Sequence, residues 1–180
     1  VDLDLACEFY ENGRTIDLIS LAIVAPDGEF FYAINQGMPF GPIFRHRYLP
    51  EHVMPYLPVR EGHFNPWDTE HPDYQFVMPL ASIAQGARKF ITRYSDPCLW
   101  ADYGAYNHVV FAQLWGRMQD YPVGLPMWTA NTQQEIRRLG SPAVPPMVGG
   151  DPTALRKAMH NQTVRKFLRE YEKEIHDGCR

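Results

Sequence analysis

The run from Ile16 to Ala25, Ile-Asp-Leu-Ile-Ser-Leu-Ala-Ile-Val-Ala, constrains the fold of this chain more than any other stretch. It is almost continuously aliphatic and β-branched, far shorter than the roughly 20 apolar residues that cross a bilayer. It ends at the turn signal Pro26-Asp27-Gly28. A strand without a polar face belongs in the middle of a sheet covered on both sides. Upstream, Val1, Leu3, Leu5, Cys7 and Phe9 alternate with Asp2, Asp4, Ala6 and Glu8, the period-two pattern of a strand with one buried face. Ala6 and Glu8 share the other face. Downstream, Phe30 to Ile34 reads as a third strand, and the short links make the three consecutive and antiparallel.

The segment from Gln36 to Pro79 is rich in Pro, Gly, His and aromatic residues, and its prolines forbid a long helix. A connection of that length is expected to be a lid or binding loop. Leu80, Ile83, Ala84, Ala87, Phe90, Ile91 and Tyr94 follow helical spacing, Cys98 to Ala101 forms a short strand, and a second helix starts near Gly104 with Val109, Val110, Leu114 and Met118 facing inward. A short helix follows over Thr132 to Leu139. Asp151-Pro152 supplies an N-cap and a first-turn proline for the last helix. Its apolar stripe runs through Leu155, Ala158, Met159, Val164, Phe167, Leu168, Tyr171 and Ile175, and Gly178 is its stop. Three strands followed by alternating helices and strands predict an α/β domain with a mixed β-sheet flanked by α-helices. With 180 residues and 45% hydrophobic content, the chain can bury a substantial core as one domain over residues 1–180.

The net charge of -4 argues against a protein that coats nucleic acid indiscriminately, since such affinity comes from Lys and Arg neutralising phosphates. From residue 151 onward, however, Lys and Arg outnumber Asp and Glu. Cys7, Cys98 and Cys179 are an odd set, the first two in strand-like apolar surroundings, which favours reduced thiols in a cytoplasmic setting. No membrane span is expected, and no basic-then-apolar leader opens the chain.

Cys7-Glu8-Phe9, Thr15-Ile16-Asp17-Leu18-Ile19-Ser20 and Ala105-Tyr106-Asn107-His108-Val109 with Gln113-Leu114-Trp115-Gly116 together resemble the RNase AS branch of the DEDD 3′–5′ exoribonucleases. That resemblance implies a ribonuclease-H-like fold and two magnesium or manganese ions held by carboxylates on the first strand, the middle helix and the last helix. Two-metal phosphodiester hydrolysis needs such a converging, oxygen-rich site. Carried over by position, Ala6 stands where the first Asp belongs, Glu8 is kept, and Asn107 replaces the second Asp. Two registers fit the third motif. Matching Ala154-Leu155 and Ala158 puts Lys157 at the last Asp and Pro152 at the His, while placing His160 at the His puts Arg165 at the Asp. The first keeps more matching residues, and either leaves a cation in place of a carboxylate.

With Glu8 as the residual metal ligand, the resemblance implies no bound ion or a single weak one. The Lys157 ammonium is then expected to fill the vacated metal position and pair with Glu8. Phe9, Trp100, Tyr106 and His108 are the candidates for contacts with unpaired bases. The implied function is that of a 3′–5′ exoribonuclease acting on single-stranded, adenylate-rich RNA, here inactive or strongly impaired. A non-catalytic RNA-binding or scaffolding module and a stabilised, fold-only variant are the alternatives. The family also implies a homodimer.

Overall fold

Six strands, β1 (Asp2–Glu11), β2 (Ile16–Val24), β3 (Phe30–Asn35), β4 (Val77–Met78), β5 (Cys98–Ala101) and β6 (Thr129–Asn131), form one mixed sheet in the order β4-β3-β2-β1-β5-β6. This is a computed structural model, and it describes residues 1–178; Cys179 lies outside them. β2 runs antiparallel to β1 and β3, whereas β1 pairs in parallel with β5, β3 with β4, and β5 with β6. The helices are α1 (Phe40–Phe44), α2 (Leu49–His52), α3 (Leu80–Ile91), α4 (Gly104–Ala112), α5 (Thr132–Arg138) and α6 (Ala154–Gly178). The architecture is α/β and ribonuclease-H-like. No helix among the described residues is long and apolar enough to cross a membrane.

β2 is covered on both faces, as its composition requires. Leu18, Leu21 and Ile23 join Leu3, Leu5 and Cys7 against α3 and α4, while Ala22 and Val24 join Tyr32 and Ile34 against α6 and the proline-rich segment. That segment is core rather than lid. Met38, Ile43, Leu49, Val53, Met54 and Leu57 are all buried in it, so its short helices serve as one wall of the second core.

β1 departs from the one-buried-face expectation. Asp4 has no exposed surface and Glu8 has 6%, because α6 lies across their face and answers the carboxylates with Lys157, Asn161 and Arg165. The buried stripe of α6 is accordingly Ala154, Ala158, Asn161, Val164, Arg165 and Leu168, and Met159 and Ile175 are exposed. Its cap is Thr153 rather than Asp151. Thr153 Oγ1 accepts the Arg156 amide at 3.3 Å, while Asp151 makes an ion pair with Arg156. In α4, Val110 is buried but Val109 is not, and Met118 lies in an exposed 3-10 turn beyond the helix.

Candidate functional site

The β1–β2 ladder skips Ile19, pairing Glu8 with Ser20 and Phe9 with Leu18. A bulge of this kind bends the strand and re-aims its side chains. Here it lies between Glu8, directed at α6, and Phe9, which packs on the α4 side. The pairing of β1 with β5 ends at Asp4, so beyond that point β1 has no strand on its β5 side. A cleft of about 590 Å³ opens there, lined by β1, the start of α4, α5, the link before α6, and the first turns of α6.

Asn107 fills the missing ladder position. Its Oδ1 accepts the Cys7 amide at 2.8 Å, and its Nδ2 donates to the Asp102 carbonyl at 2.7 Å. Both ends of the amide are thus spent on backbone, fixing the first turn of α4 to β1. Tyr103, at φ 52°, enters the helix from the left-handed region. Gly104 follows because a Cβ there would lie 2.8 Å from the Thr129 carbonyl oxygen of β6. Asp102 Oδ1 accepts from Gln133 of α5 at 2.8 Å, closing the rim.

On the opposite wall, Lys157 Nζ lies 2.5 Å from Glu8 Oε1. The contact is an ion pair between a buried carboxylate and a partly exposed ammonium. Burial pushes the Glu8 carboxyl above the usual carboxylate range, and Lys157 pulls in the other direction. Ser20 Oγ, directly across the ladder, and Tyr32 Oη are buried close to each other in the same face of the sheet. Burial likewise raises the Cys7 thiol, which makes it inert, and both Cys7 and Cys98 are free.

Ala6, Phe9, Tyr106, Asn107, Lys157 and His160 therefore share one cleft, with Glu8 reached through Lys157. The rings of Phe9 and Tyr106 are parallel within 5°, their centroids 6.1 Å apart, and Tyr106 is half exposed. His108 and Trp100 are placed elsewhere. His108 Nδ1 is 3.0 Å from Thr129 Oγ1, and burial lowers its pKa. Trp100 donates Nε1 to Asp2 and carries the Arg165 guanidinium 4.8 Å above its ring. Arg165, the last-helix position in the alternative register, chelates Asp4 through Nε at 2.8 Å and Nη2 at 3.0 Å, away from the cleft lining.

Tyr103, an aromatic candidate of the same strand–helix junction as Trp100 and Tyr106, also lines the cleft, as do Thr132 and Met147, which nothing in their local sequence singled out, and Asn161. For Asn161 a signal existed. It falls on the same α6 face as Ala154, Ala158 and Arg165, and Asp2 and Asp4 alternate on the strand opposite. The donors around Glu8 are a methyl group, an amide committed to backbone and an ammonium, which do not fit two divalent cations. No three His, Cys, Asp or Glu side chains converge in a way that could hold a metal ion anywhere among the described residues.

No protein-family model matches the chain. Two curated relatives, from two strains of Mycobacterium tuberculosis and both named 3′-5′ exoribonuclease, are each 33% identical to it over 141 residues, covering 77% of this chain and 76% of theirs.

Proposed function

The chain belongs to the 3′–5′ exoribonuclease family of these relatives, and from that premise we propose that it grips the 3′ end of single-stranded RNA without cutting it. The observation that carries this reading is the Lys157–Glu8 pair, which puts a cation beside the one carboxylate that the RNase AS pattern retains. Ala6 and Asn107 leave no second acidic ligand at the motif positions, and Glu11 and Asp102 of the cleft lining do not converge with Glu8 on a metal site, so the cleft recruits neither magnesium nor manganese strongly and the hydroxide-generating and leaving-group roles of a metal pair have no holder. Loss of several carboxylates from such a site removes most of the transition-state stabilisation it can supply.

The grip survives the loss of chemistry. Phe9 and Tyr106 offer parallel aromatic faces to an unpaired base, with adenylate-rich strands the expected ligand. His160 and the Lys157 ammonium present donors toward a terminal phosphate. The test is 3′-end trimming of a labelled oligoadenylate in magnesium or manganese, run beside the triple variant Ala6→Asp, Asn107→Asp, Lys157→Asp. The expected result is binding without trimming by the parent chain and trimming by the variant. Trimming by the parent overturns the proposal, and a parent that neither trims nor binds leaves only the fold in common with its relatives.

A further inference from the structure

From the last residue of α1 onward, exposed arginines and rings interleave over five consecutive residues: Phe44-Arg45-His46-Arg47-Tyr48. Arg45 and Arg47 are exposed and take part in no ion pair among the described residues. Between them, His46 is fixed in orientation. Its Nδ1 accepts the amides of Tyr48 and Leu49 at 3.2 and 3.3 Å, which leaves the Nε2 proton available as a donor. Tyr48 and His52 then stack face to face, with centroids 4.1 Å apart and planes within 8°, and Tyr48 is 51% exposed. A stacked pair of rings, one of them half exposed, directly follows two exposed guanidiniums that have no acidic partner among the described residues. Its chemistry matches a chain of phosphates carrying unpaired bases.

Its position supports the same occupant. His46 packs edge-on against Tyr10, at 5.9 Å, and Tyr10 sits on β1 between Phe9 and Glu11, both of which line the cleft. Tyr10 itself packs on the second core while Phe9 packs on the first, so the patch adjoins the cleft through this end of β1. We infer that Arg45, His46, Arg47 and the Tyr48–His52 stack form an accessory track for the RNA strand upstream of its 3′ end, adding affinity for strands too long for the cleft alone. This rests on the cleft reading only for the identity of the end that enters. Glu51 of α2 is the one carboxylate set into the track's own helix, and it opposes the two guanidiniums.

The experiment is fluorescence anisotropy on the full chain without divalent ions, using a labelled adenylate dinucleotide, a single-stranded octanucleotide and an octamer duplex. The octamer is expected to bind at least about tenfold more tightly than the dinucleotide, because it alone reaches the stacking rings. Arg45→Gln with Arg47→Gln removes two phosphate contacts. At a single-strand salt slope of roughly 0.7 per contact, the affinity contrast between about 50 and 200 mM salt should shrink about sevenfold. Dinucleotide binding should not change. Tyr48→Ala should weaken the octamer about tenfold, and Glu51→Gln should tighten it. An octamer that binds no better than the dinucleotide, arginine variants that leave octamer binding unchanged, or a duplex that binds as well as the single strand overturns the track. If the octamer binds in a patch-dependent way while the dinucleotide does not bind at all, the track stands and the cleft reading falls.

Discussion

Replacing Arg165 with Met tests whether the polar face of β1 is held by charge compensation. Asp4 has no exposed surface, and three donors converge on it: Arg165 Nε and Nη2, and Asn161 Nδ2 at 2.7 Å. Arg165→Met leaves that carboxylate buried with Asn161 alone. Breaking a buried pair from one side costs about 3–5 kcal/mol, and losing the stack over Trp100 adds about 0.5–1 kcal/mol. For a chain of this length the sum corresponds to a fall in melting temperature of roughly 10 °C or more. Removing both charges, as Asp4→Leu with Arg165→Met, should return stability to within about 2 kcal/mol of the parent, since the desolvation cost disappears with the attraction. Arg169 also pairs with Asp2 but is 57% exposed, so Arg169→Ala should cost less than about 1 kcal/mol. Burial already raises the Asp4 carboxyl against the pull of Arg165. Without the arginine it should rise further, so the penalty of Arg165→Met should shrink as pH falls and Asp4 takes up a proton. Urea denaturation of the parent, Arg165→Met, Asp4→Leu, the double variant and Arg169→Ala across pH measures all of this. A single variant costing under about 1 kcal/mol, or a double variant as unstable as the sum of its singles, refutes the reasoning.

Two further outcomes follow from the cleft. Because burial raises the folded-state pKa of Glu8, the stability tied to its protonated form is complete below the unfolded value and is lost as pH rises through the folded one. Lys157→Met removes the opposing cation, so that loss should extend to higher pH and reach about 1–3 kcal/mol near neutrality, discounted for the 38% exposure of Lys157. A stability–pH profile superimposable on the parent's would count against it. Asn107→Asp places a carboxylate oxygen against the Asp102 carbonyl and should cost about 1–3 kcal/mol in thermal unfolding; a variant as stable as the parent would mean that α4 is held by something else.

The strands and most helix positions were legible because they rest on local periodicity: β2 by its nearly continuous apolar run, β5 at Cys98–Ala101, and α3 by its 3.6-residue spacing. The Lys157–Glu8 contact was also reachable, because motif positions on two distant segments imply a shared site. What could not be read depends on who covers whom. Asp4 looks like a solvent-facing strand residue until α6 is laid across it, and Arg165 looks like part of a solvated basic helix until it meets Asp4 and Trp100. Met118 and Val109 obey helical spacing, but the helix ends at Ala112, before Met118, and Val109 lies on its exposed side. The proline-rich stretch has no period at all. Its apolar residues reach the core through short helices and turns, which pattern analysis does not resolve.

The amide of Cys7 sits in a strand but is hydrogen-bonded to a side chain. Strand amides held by a neighbouring strand exchange only when the ladder opens, whereas this one is released whenever Asn107 lets go. Its hydrogen-exchange rate therefore registers how often the first turn of α4 lifts from β1. In a series of Asn107 and Gly104 variants, that single proton would track breathing of the cleft wall separately from global unfolding, using a probe the chain already carries.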